Sequence, residues 1–407
     1  MSSDLSIELP RTVDVGAIDH ELRSLWREAS ADTAHPVARA CMLSLVIFVD
    51  APDLSATADM AAELAVHHPS RTILVAVDPD AASGGLSAEV AARCHVSFGR
   101  RQQICSEQVI IKANGRSIEE VHGVVIPLLT SDLPSFLWWR SSKWPEGPSF
   151  KNIAAGCDRV IVDSSVLTDS AASFRRLAEL VVGQPRAQAS RYSVADLNWS
   201  RLTPWRIALA ELYDLPAYRQ YLVKARRFSI TYSPRLPQGA ADNASNNQSV
   251  SADTIPAGAL LLAGWLASRL GWGKPHPVER TGGGFSFGFT RAGHDIELVL
   301  SPSPGEGRPG GVSATPSGDG SQITGGTVLE LKIETNSDPV TSFFIGMIEG
   351  CIETKMVLEG EAQAPRIVGR SPEKDPDLVG EELDILGHDT TYEGAVSAGA
   401  DIAGAIG

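Results

Sequence analysis

Residues 43–49 form an unbroken apolar run rich in β-branched side chains, and residues 71–77 form a second. Runs of this kind predict strands buried on both faces, as in a parallel sheet covered by helices. The Ala-rich segment 57–67 between them favours helix. Ahead of both, Ile18, Leu22, Leu25 and Trp26 recur at helical spacing. The alternation continues with strands at 109–112, 135–139 and 159–163 and helices at 118–129 and 171–182. It predicts an α/β layer with a largely parallel sheet over about the first 180 residues. Thr203-Pro204 then opens a helix whose stripe is Trp205, Ala208, Leu209 and Leu212.

The second half of the chain has a different period. Phe285, Phe287 and Phe289 alternate with Ser286, Gly288 and Thr290, and Leu329, Leu331 and Ile333 alternate with Glu330, Lys332 and Glu334. One face of such strands is dry and the other wet. Strands across 285–300 and 328–359 without intervening helices predict an antiparallel sheet, opened by a strand at 226–232 and covered by the apolar helix 256–270. The predicted fold is therefore an α/β N-terminal domain with a largely parallel sheet, followed by an α+β C-terminal domain with an antiparallel sheet. In chain order, residues 1–25 are a polar segment and first helix, 26–220 the N-terminal domain, 221–360 the C-terminal domain, and 361–407 a helical tail. Segments 237–253 and 301–326, rich in Ser, Asn, Gly and Pro, bury too little apolar surface to offset their ordering entropy and read as mobile loops.

Composition narrows the function classes. The chain has 407 residues, and 35 Lys+Arg against 49 Asp+Glu give a net charge of −14, which repels phosphate backbones and argues against nucleic-acid binding. No apolar segment reaches the ~18–20 residues of a membrane span. The N-terminus lacks a basic flank followed by an apolar run, so a cytoplasmic protein is expected. The five cysteines are scattered and include no CxxC, the pattern of reduced thiols. Cys94 and Cys105 leave two readings open. Eleven positions permit a return that pairs them as redox thiols, and ordinary buried thiols are the alternative.

Reactive motifs are weak. Gly284-Phe285-Ser286-Phe287-Gly288 satisfies GxSxG, but its alternating Phe residues continue a strand where a nucleophile elbow needs a strand-to-helix turn. Gly282-Gly283-Gly284 leads into the same strand and does not complete GxGxxG, and Pro275 follows Gly273-Lys274 where a P-loop needs Ser or Thr. No His pair has metal-ligand spacing, and Glu119-Glu120 and Glu381-Glu382 read as solvated helix faces. No cofactor is expected. Aromatic and basic residues stand out instead. Trp139-Arg140 offers an anchoring pair for a protein contact, and Arg226 and Arg227 belong to a basic island in an acidic chain. These four are the candidate partner-contact residues.

Five segments in order carry a resemblance: Arg93-Cys94-His95, Gln103-Ile104-Cys105-Ser106-Glu107-Gln108, Asp132-Leu133-Pro134-Ser135-Phe136-Leu137-Trp138-Trp139, Asp158-Arg159-Val160-Ile161-Val162-Asp163-Ser164, and Asp196 through Arg206 with Trp199 and Trp205. Together with Glu381-Glu382-Leu383-Asp384-Ile385-Leu386-Gly387-His388-Asp389 they resemble the OpcA family, the glucose-6-phosphate dehydrogenase assembly proteins. The likeness takes in nearly the whole chain, the two loops excepted. It implies a non-catalytic cytoplasmic regulator that binds glucose-6-phosphate dehydrogenase, promotes its active oligomer and activates it allosterically, in support of the oxidative pentose phosphate pathway. Through relatives under redox control it also implies thioredoxin as a partner. The alternatives are a sugar-phosphate hydrolase or lactonase built on Ser286 or on a His/Asp set assembled in space, and a passive scaffold that leaves the dehydrogenase's kinetics unaltered.

Overall fold

The computed structural model describes residues 6–7, 11–31, 37–96, 103–167, 170–183, 192–234, 254–276, 279–281, 284–303, 326–370 and 374–406. The expected loop 237–253 lies outside these residues, as does 304–325 of the second loop. Ser301 and Pro302 are the end of a strand.

The first elements are β1 (Ser6–Ile7), β2 (Arg11–Val13), α1 (Ile18–Ala31), β3 (Val37–Arg39), β4 (Leu43–Asp50), α2 (Leu54–His67), β5 (Ser70–Asp78), β6 (Gly85–Val96), β7 (Gln103–Asn114), α3 (His122–Leu128), β8 (Ser135–Trp139), α4 (Gly147–Ala155), β9 (Arg159–Val162), α5 (Ser170–Val182) and β10 (Ser193–Asp196). Then come α6 (Leu197–Arg201), α7 (Thr203–Asp214), α8 (Pro216–Lys224), β11 (Ala225–Tyr232), α9 (Ala257–Leu270), β12 (Glu279–Thr281), β13 (Gly284–Arg291), β14 (His294–Pro302), β15 (Val328–Thr335), β16 (Ser342–Ile348), β17 (Cys351–Leu358), β18 (Glu361–Ala362), β19 (Arg366–Arg370), α10 (Asp375–Leu383) and α11 (Thr390–Gly404). None of the described helices is long and apolar enough to cross a membrane.

Contacts divide the chain into two units that do not follow chain order. One comprises Met1–Asp163, Pro185–Asp196 and Lys374–His388, and the other Ser164–Gln184, Leu197–Glu373 and Asp389–Gly407. The segment 361–407 is thus shared between the units, and it opens with strands β18 and β19 where helix is expected.

The first unit is built on a mixed sheet in which β7, β5, β4, β8, β9 and β10 lie side by side and parallel. Counted among these six in chain order, they run third, second, first, fourth, fifth, sixth, the order of doubly wound sheets. The antiparallel β6 extends the sheet beyond β7 over twelve paired positions. Buried positions fill β4 and β5 almost without a break, as strands covered on both faces require. A charged pair is also buried here. The guanidinium of Arg159, at the start of β9, meets the Glu382 carboxylate from α10, and its Nη1 donates to Ser193 Oγ (3.1 Å) and to the Gly387 carbonyl (2.8 Å). Glu382 is 7% exposed, which corrects the reading of Glu381-Glu382 as a solvated face.

The second unit's sheet runs β12-β13-β14-β11-β15-β16-β17-β18, with β19 also on β17. Every pair is antiparallel except β11 with β14, so the sheet is mostly rather than wholly antiparallel. Helix α9 is buried from Ala257 through Gly264 and packs on α11. The approach is close because the contact is glycine: a Cβ built on Gly264 falls 2.1 Å from the Ala395 carbonyl oxygen and 2.6 Å from Gly399 N. Asp389 starts α11 by accepting from Thr391 N and Tyr392 N on Oδ1 and from Trp199 Nε1 (2.9 Å) on Oδ2.

Two stability tests follow. Glu382→Ala leaves the Arg159 charge buried without its carboxylate and is expected to cost about 3–5 kcal/mol in urea unfolding, while Glu381→Ala, on an exposed neighbour, changes little. Gly264→Ala must drive α9 from α11 and costs about 1–3 kcal/mol or more. By contrast Gly271→Ala, at φ 65° with open space around it, costs about 1 kcal/mol from backbone strain alone.

Candidate functional site

In doubly wound sheets ligands bind outside the carboxyl ends of the strands where the strand order reverses, here between β4 and β8. Those strands end at Asp50 and Trp139, and the chemistry at that point opposes a phosphate. The turn after β4 is Asp50-Ala51-Pro52-Asp53, with two carboxylates and a proline nitrogen where a nucleotide site presents glycine and free N–H groups. Its polar groups are already engaged. Asp50 accepts from Ser141 Oγ (2.6 Å) and Ser142 N (2.9 Å). Burial acts to raise the Asp50 carboxyl, but these hydrogen bonds and the nearby Lys143 ammonium outweigh it and hold the group below the ordinary carboxylate value. Arg140 donates to Thr57 Oγ1 (3.1 Å) and lies 3.7 Å from the Asp375 carboxylate. The Trp139 ring stacks on Phe48 at 4.1 Å, edges against Phe150, and is 7% exposed. Trp138 is buried on the other face, so neither ring of the pair offers surface to a partner, contrary to the reading of Trp139 as an anchor.

The wet face of the second sheet is different. Two successive residues on a regular strand point to opposite faces. At the start of β11, however, Ala225 pairs with Thr335 and Arg227 with Glu334, so Arg226 is an extra residue in a β-bulge. The bulge keeps both arginines out of the core. Arg226 donates to the carbonyls of Val223 and Ala225, both at 2.8 Å, and so caps the end of α8. Arg227, with its side chain 51% exposed, lies 3.0 Å from Glu297 Oε2 on β14. Both line an open groove of about 730 Å3 together with Ser229, Glu297, Lys332 and Glu334. One row across the strands is Ser286, Val299, Ser229, Lys332, Phe344 and Lys355, each opposite the next. Lys332 is 2.7 Å from Glu334 and lies over the Phe344 ring at 5.4 Å. The groove thus presents interleaved charges of both signs over apolar patches.

Ser286 lies on this face, in the middle of a strand paired on both sides. Its hydroxyl donates to Glu297 Oε1 at 3.0 Å, with no imidazole between. His276, beside Gly288, instead has Nε2 3.5 Å from Thr290 Oγ1. This is neither a nucleophile elbow nor a triad, in which the base must sit between nucleophile and carboxylate. Gly284 is strand as well, and Gly282 and Gly283 lie outside the described residues. Among the described residues no three metal-ligating side chains converge.

Cys94 and Cys105 face each other across β6 and β7 and are joined in a disulfide, with Cα atoms 4.0 Å apart. This overturns the reading of all five cysteines as reduced. Trp26 packs against the buried cluster of Ala92, Cys94 and Cys105. Cys41, Cys157 and Cys351 are free thiols. Burial, helped by the Asp158 charge, pushes Cys157 up to about 12, so it stays protonated.

The model of the glucose-6-phosphate dehydrogenase subunit N-terminal domain matches residues 61–179, and that of the C-terminal domain of the same subunit matches residues 192–396. The chain is 29% identical over 351 residues to the OxPP cycle protein OpcA of Nostoc punctiforme, covering 84% of this chain and 67% of that protein. It is 28% identical over 352 residues to the protein of the same name from a Synechocystis species, covering 84% and 65%. It therefore spans about two thirds of the length of these curated relatives. Among solved structures it is similar to a Bacillus subtilis protein named as the oxidoreductase yvaA, at 9% identity and a TM-score of 0.43, covering 89% of this chain and 95% of that one. A likeness at that level carries no argument about activity. The two domain models together take in most of the chain, and it belongs to the OpcA family of glucose-6-phosphate dehydrogenase subunits.

Proposed function

We propose that this chain is a non-catalytic regulator of glucose-6-phosphate dehydrogenase, acting in the oxidative pentose phosphate pathway, and that it grips the enzyme with the wet face of its second sheet. The observation that carries this reading is the groove itself. Its polar groups satisfy one another through Ser286, Glu297 and Arg227, so it offers a charged, shaped surface and no reactive group poised for turnover. The family's name and the names of the relatives supply the partner. The mechanism is differential binding. If the chain binds the enzyme's competent oligomer more tightly than its resting form by ~1–3 kcal/mol, the ratio of competent to resting enzyme rises about 5- to 150-fold at saturation. Arg227 and Lys332 steer and orient the partner, since charges at an open rim set association rate and register, while Arg226 fixes the end of α8 beside them.

The disulfide supports a second component, reduction of Cys94–Cys105 by thioredoxin as a control on binding. With Cys105 fully buried and Cys94 nearly so, the reductant needs the β6–β7 ladder to open locally.

Titrating the chain into purified dehydrogenase is expected to shift the enzyme's saturation curve for glucose 6-phosphate. An unchanged curve with a complex demonstrably formed would identify a passive scaffold and reject activation. The double variant Arg227→Glu/Lys332→Glu is expected to weaken association by about tenfold or more, and an unaltered association constant removes this face from the interface. Thiol titration of the denatured, unreduced chain should give the three free cysteines, rising to five after reduction. Five at the outset would exclude the disulfide as a control element.

A further inference from the structure

A buried carboxylate must have donors for both oxygens, and Glu107 on β7, 2% exposed, has three. Trp26 Nε1 donates to Oε1 at 2.6 Å, Arg39 Nη2 lies 2.7 Å from the same oxygen, and Arg71 Nε donates to Oε2 at 2.6 Å. These residues, with Arg23 and Asp19 of α1, line a cavity of about 160 Å3. Its chemistry is lopsided. A guanidinium carries five N–H donors and no acceptor. Arg71 uses Nε on Glu107 and Nη1 on the Leu128 carbonyl, and its Nη2 meets no acceptor among the described residues. Arg39 gives only Nη2 to Glu107, its guanidinium otherwise resting 5.5 Å from the Trp26 ring centroid. Arg23 makes no hydrogen bond or ion pair among the described residues. Three guanidiniums against Asp19 and Glu107 leave the lining at +1 in a chain of net charge −14.

The geometry points to a binding site for one small oxyanion of the phosphate type, held by Arg23, Arg39 and the free Nη2 of Arg71. Glu107 is a positioning residue: its two oxygens hold Arg39 and Arg71 in place, and its charge is neutralised by the same contacts. Phosphate suits this donor set because planar guanidinium forks match its oxygens in pairs. The volume lies well below the ~300–1,000 Å3 of sites for drug-sized ligands. That admits a phosphoryl group with a few further atoms and rejects a nucleotide. Free phosphate and the phosphoryl end of a small metabolite share this chemistry.

Equilibrium dialysis of the full chain at low ionic strength against inorganic phosphate and, separately, glycerol 3-phosphate tests the site. Saturable binding of one anion per chain is expected. Arg23→Gln, which breaks no internal contact, and Arg39→Gln should each weaken it by about tenfold, whereas Arg227→Gln in the other unit leaves it unchanged. Tighter binding of the ester assigns the site to a metabolite's phosphoryl group, and equal or weaker binding assigns it to free phosphate; both support an oxyanion site. No saturation up to about 10 mM, or wild-type affinity in both Arg23→Gln and Arg39→Gln with the melting curve preserved, overturns it.

Discussion

A charge removed from water must be met by an opposite charge and by hydrogen bonds, or the fold that buries it is lost. The first unit is organised around that constraint twice. Arg159 stands at the start of β9, between β8 and β10, and the carboxylate that meets it arrives from 223 residues later in sequence, on α10. A segment near the end of the chain is thereby tied to a sheet made near its beginning. Glu107 does the same on a smaller scale, drawing α1, β3 and β5 together through Trp26, Arg39 and Arg71. In the second unit the corresponding tie is Asp389, which caps α11 and accepts from Trp199. Arg159, Glu382, Trp199 and Asp389 all lie in the segments that carry the family resemblance. The structure gives three of those segments a physical reason: 158–164 and 196–206 each meet 381–389 through one of these polar contacts.

The strands of the parallel sheet were legible because burial on both faces leaves a continuous apolar run, as in β4, β5 and β8. Strand β6 was not. Its sequence, Leu86-Ser87-Ala88-Glu89-Val90-Ala91-Ala92-Arg93, is rich in helix formers, and twelve ladder pairs with β7 override that local preference. Alternation marked the second sheet correctly, but alternation is blind to direction, so the parallel pairing of β11 with β14 could only come from tertiary structure. The noncontiguous units are hidden for the same reason. They depend on α10 packing on α2 in the first unit, and on α11 packing on α9 and α5 in the second.

The site was legible in part. A basic island at Arg226 and Arg227 can be read from composition, but its use depends on a bulge that keeps both side chains out of the core and gives Arg226 to a helix end. Trp139 illustrates the opposite case, since an aromatic beside an arginine looks the same in sequence whether its ring faces solvent or, as here, stacks on Phe48. Adjacent glutamates at 381 and 382 suggested water, because a single sequence does not reveal an arginine waiting across the fold. Cys94 and Cys105 were a permitted pair until the register of β6 and β7 set them opposite each other.

On the proposed function, the groove on the second sheet is the surface that recognises another macromolecule. Amine labelling of the chain, alone and with saturating glucose-6-phosphate dehydrogenase, tests that claim most directly. Lys332 and Lys355, on either side of Phe344 in one row of the wet face, should lose reactivity in the complex while Lys151, exposed on α4 of the other unit, keeps it. Undiminished labelling of Lys332 and Lys355 in a complex that does form would contradict the account.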